Sequence, residues 1–247
     1  MKTEVLNLTN PDVTLAAYIL DDSKEMPNWH SRPAMLVIPG GAYKFCSDRE
    51  AEPIAIAFAA KGWNTFVLRY SIGQGKAKFP RPLNDAEEAL ETIINRAEEW
   101  HIDTKRIAAI GFSAGGHLTA ALSAMGRIRP TAAVLCYPCI LEKMGEILAD
   151  PIPGIDKEVD DKTPPTFIVS SREDSCVPIE NSLRYADALD KAGIDFEMHI
   201  YGKGYHGFSL ANDVVYSTRE LVDYNIHMEG WFDLCIAWFR KIWGENV

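Results

Sequence analysis

Residues 106–125 read Arg-Ile-Ala-Ala-Ile-Gly-Phe-Ser-Ala-Gly-Gly-His-Leu-Thr-Ala-Ala-Leu-Ser-Ala-Met, and they restrict the fold more than any other stretch. Residues 107–110 form a short apolar run suited to a buried strand. Leu118, Ala121, Leu122 and Met125 recur at helical spacing. Between them stands Gly111-Phe112-Ser113-Ala114-Gly115. A strand that passes directly into a helix through Gly-x-Ser-x-Gly makes a sharp, strained turn. Bulky side chains on either side of the serine would strike the strand and the helix, and glycine removes that clash. The turn lifts the Ser113 hydroxyl above the sheet and sets it at a helix N-terminus, where free N–H groups favour a developing negative charge. With 17 glycines in 247 residues, the bare pattern arises by chance in roughly one chain in twenty. Its meaning therefore depends on the flanking strand and helix and on the partners that the rest of the chain supplies.

The remaining chain alternates between strand and helix signals. Residues 5–9 and 13–20 read as two opening strands around an Asn10-Pro11-Asp12 turn. Residues 34–38 are a short apolar strand ending in Pro39-Gly40-Gly41-Ala42-Tyr43. Ser47-Asp48-Arg49-Glu50 matches a capping box, opening a helix that runs to Lys61 and closes at Gly62. Residues 64–70 read as a buried strand, and 71–82 as a loop punctuated by Gly and Pro. Ala86, Leu90, Ile93, Ala97 and Trp100 mark one face of a helix over 85–100. Further strands are expected at 131–137, 166–170 and 196–201, with a helix at 178–192 closed by Gly193. Trp231, Leu234, Cys235, Trp238, Phe239 and Ile242 define a closing helix. Residues 139–163 are irregular, with a short helix at 141–148 that forms a small cap or packs on the core. This alternation predicts one α/β domain over 1–247, with a mostly parallel, doubly wound sheet flanked by helices. In such sheets the ligand site lies beyond the carboxyl ends of the strands.

Composition narrows the partners. The net charge of −10 argues against nucleic acid, which requires a basic surface. No stretch has the length and apolarity of a membrane span, and residues 1–7, interrupted by Glu4, carry no secretory apolar run. A cytoplasmic location is expected, and five widely spread cysteines suit a reducing compartment. Cys136-Tyr137-Pro138-Cys139 has redox-motif spacing, but it closes an apolar run instead of opening a helix, so it reads as structural. No His/Asp/Glu set has ligand spacing, so neither a metal nor a cofactor is expected. The sequence is compatible with a monomer or a homo-oligomer.

Asp174 follows the strand at 166–170, and His206 follows the strand at 196–201 within Gly204-Tyr205-His206-Gly207-Phe208. Both are thereby placed on the same sheet edge as Ser113, in the order Ser, Asp, His. An isolated Asp in such a loop is usually a turn residue, and an isolated His is usually a satisfied surface or core group. Three of them in this order, each after a strand, point to nucleophilic catalysis. Ser113 needs a base to take its proton, His206 can take and return it, and Asp174 would orient the imidazole. Glu173 is the alternative acid. His117 lies one turn into the elbow helix and points away from the strand ends. His30, His101, His199 and His227 lack post-strand loops with glycine neighbours. An oxyanion needs N–H donors. Ala114, just after the nucleophile, supplies one, and Gly40, Gly41 or Ala42 supplies the other.

Several motifs taken together carry a resemblance. They are Pro39-Gly40-Gly41-Ala42-Tyr43, residues 47–53, Arg69-Tyr70-Ser71, Gly111 to His117, Thr163-Pro164-Pro165 and Tyr205-His206-Gly207-Phe208. From about Tyr18 to Trp243 the chain resembles the bacterial acetyl-xylan-esterase-like branch of the α/β-hydrolases, similar to the esterase/lipase group with feruloyl and acetylxylan esterases. The resemblance implies an α/β-hydrolase fold and a carboxylic-ester hydrolase acting on small-molecule esters, acetylated sugars first among them. It puts Ser113, Asp174 and His206 in the triad positions and the oxyanion site at Gly41 and Ala114. The chain departs from the family at Ala42, where a third glycine is usual, and in residues 139–163, which are shorter than the family's cap insertion. A peptidase of prolyl-oligopeptidase type shares the elbow and triad, but no propeller-sized partner domain is expected in 247 residues. A dienelactone-type thiol hydrolase is disfavoured by serine at the nucleophile position. A non-catalytic binding protein is disfavoured by the intact set of three.

Overall fold

Strand β3 (Arg32–Ile38) is buried along its whole length, and the sheet extends to either side of it. The computed structural model describes residues 1–244. Eight strands stand in the order β1 (Lys2–Asn7), β2 (Thr14–Ile19), β4 (Asn64–Arg69), β3, β5 (Ile102–Phe112), β6 (Ala132–Cys136), β7 (Thr166–Ser171) and β8 (Phe196–Tyr201). From β4 to β8 every pairing is parallel, while β2 runs antiparallel to both β1 and β4. The expected doubly wound sheet is present.

The period-two alternation of strand side chains divides two cores. Ala34, Leu36 and Ile38 face a layer with Leu90 and Ile93 of α2 (Arg81–Asn95), Leu118 and Leu122 of α3 (Ala114–Met125) and Leu189 of α4 (Glu180–Ala192). Met35 and Val37 face the opposite layer, with Ile54 and Phe58 of α1 (Glu52–Ala59) and Trp231, Trp238 and Phe239 of α6 (Trp231–Trp243). Central strands covered on both faces read as continuous apolar runs, as residues 34–38 do.

Four local expectations are corrected. The capping box at Ser47 does not form: its side chain makes no cap hydrogen bond, Asp48–Glu50 is a 3-10 turn, and the helix begins at Glu52. Helix α2 starts at Arg81 and ends at Asn95, earlier at both ends than 85–100, because proline is tolerated in a first helical turn and Pro82 sits there. The short helix expected over 141–148 is a 3-10 turn, Glu142–Glu146. A further helix, α5 (Arg219–Asn225), stands in a stretch where none was expected, with the Leu221 N–H donating to Thr218 Oγ1 at 3.4 Å. The expected domain ran to 247, and its residues 245–247 lie outside the described ones.

Candidate active site

Ser113 occupies the turn between β5 and α3 with φ 54° and ψ −117°, a conformation that costs a non-glycine residue about 1–3 kcal/mol. Neighbouring bonds hold it there. The Ser113 N–H donates to the Cys136 carbonyl at 3.0 Å, and the Ser113 carbonyl accepts from the Cys139 N–H at 3.0 Å. The two flanking glycines are required sterically. A Cβ at Gly111 would lie 2.1 Å from the Gly115 carbonyl oxygen, and one at Gly115 would lie 2.1 Å from that of Ile38.

The loops after β7 and β8 bring the two partners. His206 Nε2 lies 2.8 Å from Ser113 Oγ, and His206 Nδ1 lies 2.6 Å from Asp174 Oδ2. A carboxylate only accepts, so Nδ1 carries the ring proton and Nε2 is left to accept from the serine. The Asp174 side chain is 1% exposed. Its Oδ1 accepts from the Cys176 and Val177 N–H groups at 2.9 and 2.8 Å, which fixes the carboxylate's direction. Glu173, the alternative acid, is exposed and accepts from the Tyr224 hydroxyl at 2.7 Å. His117 is fully buried beneath the site and touches neither Asp174 nor Ser113 Oγ. Its Nδ1 accepts from the Tyr43 hydroxyl at 2.8 Å and its Nε2–H donates to the Pro153 carbonyl at 3.0 Å. Burial pushes its pKa down to about 4.

Among Gly40, Gly41 and Ala42, the bonding pattern separates the first from the others. The Gly40 N–H already donates to Glu50 Oε2 at 2.9 Å. The Gly40 carbonyl accepts from the Ser47 N–H at 2.9 Å. In a trans peptide the next N–H points opposite to that carbonyl, so the Gly41 N–H faces away from Ser47. Gly41 has φ 124°, and a Cβ there would meet the Phe45 carbonyl oxygen at 2.1 Å. Ala42 and Tyr43 also hold positive φ, 56° and 58°. The loop is clasped from above by residues 139–163, where the Ala149 N–H donates to the Ala42 carbonyl at 2.9 Å.

Ser113, Gly41 and His206 open into a cavity of about 190 Å³ whose walls include Phe45, Ile147, Leu148 and Val177. A larger hollow of about 620 Å³ lies beside α2, lined by Asn10, Lys76, Arg81 and Asp85 among others, and contains none of these three residues. Cys139 Sγ lies 4.0 Å from Ser113 Oγ, but burial pushes its thiol up to about 12, so it acts as an apolar wall and not as a thiolate. All five cysteines are free. Among the described residues no group of three or more His, Cys, Asp or Glu side chains could hold a metal ion, and no helix is long and apolar enough to cross a membrane. Sequence reasoning missed one group at this site. Glu50 is 3% exposed, and its carboxylate lies directly behind the Gly40 loop.

A mostly parallel sheet with a strained serine at the end of a central strand, and acid and histidine loops after the last two strands, defines an α/β-hydrolase. A family model described as BD-FAE matches residues 23–132, and one for the prolyl oligopeptidase family matches residues 151–229. The chain is similar to an α/β-hydrolase enzyme from a Medee basin deep-sea metagenome library, at 43% identity over 98% of either chain and a TM-score of 0.92. It is similar to an acetyl ester-xyloside bifunctional hydrolase of Caldicellulosiruptor lactoaceticus, at 35% identity over 94% of this chain and 89% of that one, with a TM-score of 0.80. It is 34% identical to an endo-1,4-β-xylanase B of Butyrivibrio fibrisolvens over 82% of this chain and 36% of that protein. The chain spans 36% and 45% of the lengths of two curated relatives it matches. It belongs to the α/β-hydrolase family, among that family's esterase-like members.

Proposed function

We propose that this protein is a serine carboxylic-ester hydrolase for short acyl esters, with acetylated sugars or xylo-oligosaccharides as the substrate class. The observation that carries the reading is the unbroken chain from Ser113 Oγ to His206 at 2.8 Å and from His206 to Asp174 at 2.6 Å, opening onto a small apolar cavity. Ser113 Oγ attacks the ester carbonyl carbon as His206 Nε2 takes its proton. The oxyanion accepts from the Gly41 and Ala114 N–H groups. Collapse expels the alcohol, which takes the proton from His206 and leaves an acyl-serine. Water, deprotonated by the same imidazole, then releases the carboxylic acid. Asp174 holds the ring tautomer and stabilises the imidazolium. The same reading takes 1–247 as one catalytic domain with a small cap at 139–163, working in a reducing, cytoplasmic setting that suits its free cysteines.

The acyl preference follows from space. Each further methylene contributes about 0.8 kcal/mol only where apolar wall exists to bury it. About 190 Å³ is below the usual range for a drug-sized ligand. The kcat/KM should be highest for acetyl esters, fall steeply beyond butyryl and gain nothing from a lipid interface. A series of acetyl, butyryl, octanoyl and palmitoyl esters of one alcohol tests this, and a maximum at octanoyl or beyond would remove the short-acyl reading. The match of residues 151–229 to the prolyl oligopeptidase family favours a second reading, a peptidase. Turnover of aminoacyl amides faster than the matched esters would establish it. Failure of a fluorophosphonate to label Ser113 would return the chain to a binding role.

A further inference from the structure

Glu50 takes no part in the reaction as written, yet its carboxylate connects three loops of the site. Its Oε2 accepts from the Gly40 N–H at 2.9 Å, in the loop after β3. Its Oε1 accepts from the Tyr137 hydroxyl at 2.7 Å, in the loop after β6. The Tyr137 oxygen in turn accepts from the Ser209 N–H at 3.0 Å, three residues past His206. The carboxylate comes this close to the nucleophile because position 40 has no side chain: a Cβ on Gly40 would meet Glu50 Oε2 at 2.7 Å and Ser113 Cβ at 3.0 Å. The Tyr137 ring stands edge-on to the His206 ring, with centroids 5.1 Å apart.

The tied backbones are strained. Tyr137 has φ 37° and Ser209 has φ 49°, both positive without being glycine. Such conformations persist only where the surroundings overdetermine them. A buried carboxylate that accepts two hydrogen bonds is a strong determinant, because each bond to it is charge-assisted and each donor left unpaired is costly. Trp231 Nε1–H donates to the Ser209 carbonyl at 2.9 Å and Ser209 Oγ to the Arg49 carbonyl at 2.5 Å, so the imidazole loop is anchored at the same place from two further sides.

We propose that Glu50 is a positioning residue for the esterase chemistry, fixing the oxyanion-donor loop and the imidazole loop at the separation that the tetrahedral intermediate requires. The inference rests on the ester-hydrolase reading above. Donor loop and base belong to strands on opposite sides of β5, and the Glu50–Tyr137 pair is a side-chain bridge between them, beside the bond from Ser209 Oγ to the Arg49 carbonyl. An error of about 1 Å in such a constellation costs on the order of 100-fold in rate.

Glu50→Gln keeps the shape but presents an amide N–H₂ to one of two donors, and Tyr137→Phe removes the link from Glu50 to Ser209 while leaving the Gly40 bond intact. Both proteins are assayed on one acetyl ester, beside fluorophosphonate labelling and Tm. We expect kcat to fall on the order of 100-fold in Glu50→Gln and about 10-fold in Tyr137→Phe, with KM within about threefold of wild type. Binding of a tetrahedral boronate adduct should weaken in step with kcat. A merely structural role would lower Tm and the active fraction without that split. The proposal is overturned if folded Glu50→Gln keeps wild-type kcat, if KM carries the loss, or if boronate affinity is unchanged. Should Glu50→Gln not fold, Tyr137→Phe decides by the same criteria. A wild-type protein that neither labels nor hydrolyses the ester overturns the functional reading itself; an active, labelled wild type with unaffected variants overturns only the role of Glu50.

Discussion

At the scale of single residues, the acid distinguishes the assignment most sharply. Asp174→Asn should lower kcat by about four orders of magnitude, because an amide at that position favours the wrong imidazole tautomer. Glu173→Gln, at an exposed side chain bonded to Tyr224, should cost less than about threefold. Steady-state kinetics on both variants checks this, and a larger loss from Glu173→Gln would move the acid by one residue. That Ser113, Asp174 and His206 come together could be read from the sequence, because each follows a strand and the topology of a parallel sheet carries all such positions to one edge. Glu50 could not be read. Its spacing from Ser47 imitates a capping box, and the contact that turns it inward is with Tyr137, 87 residues away. Local patterns carry no record of such a partner.

At the scale of elements, the strands and long helices were legible from periodicity, and the errors fell where turn geometry competes with it. In residues 139–163 the apolar positions follow helical spacing, yet they divide between two tasks. Ile140 and Met144 are buried in the core, Ile147 lines the cavity, and Leu148 does both. Acids there that look like a solvated face are ties. Asp150 accepts from the Gly75 N–H, and Asp160 forms a two-pronged pair with Arg129. Helix α3 is joined to this segment and to the donor loop by one group, His117. Its ordinary pKa is 6.5, and burial holds it at about 4 in the fold, so the unfolded chain binds the proton more tightly. The stability this provides is complete above about pH 6.5 and is lost as pH falls towards 4. The shift corresponds to about 3 kcal/mol. His117→Asn should be less stable near neutrality and should show a shallower fall in Tm between about pH 7 and 4.5. Coincident slopes for wild type and variant would mean that other groups govern the acid limb.

At the scale of the whole molecule, the net charge of −10 sets which esters arrive easily. A neutral acetyl ester should give kcat/KM insensitive to ionic strength, whereas an ester carrying a carboxylate should be turned over slowly at low salt and faster as salt screens the field. Equal salt responses for the two would mean that the surface field does not reach the cavity. The distribution of the two cores has a different kind of consequence. Helix α6 packs on the face opposite α3, and on that face its first residue, fully buried Trp231, bonds the backbone just past His206. The emission of an indole depends on what its N–H is bonded to. Trp231, one of six tryptophans in the chain, should therefore report the posture of the imidazole loop through its own share of the emission, without any added dye.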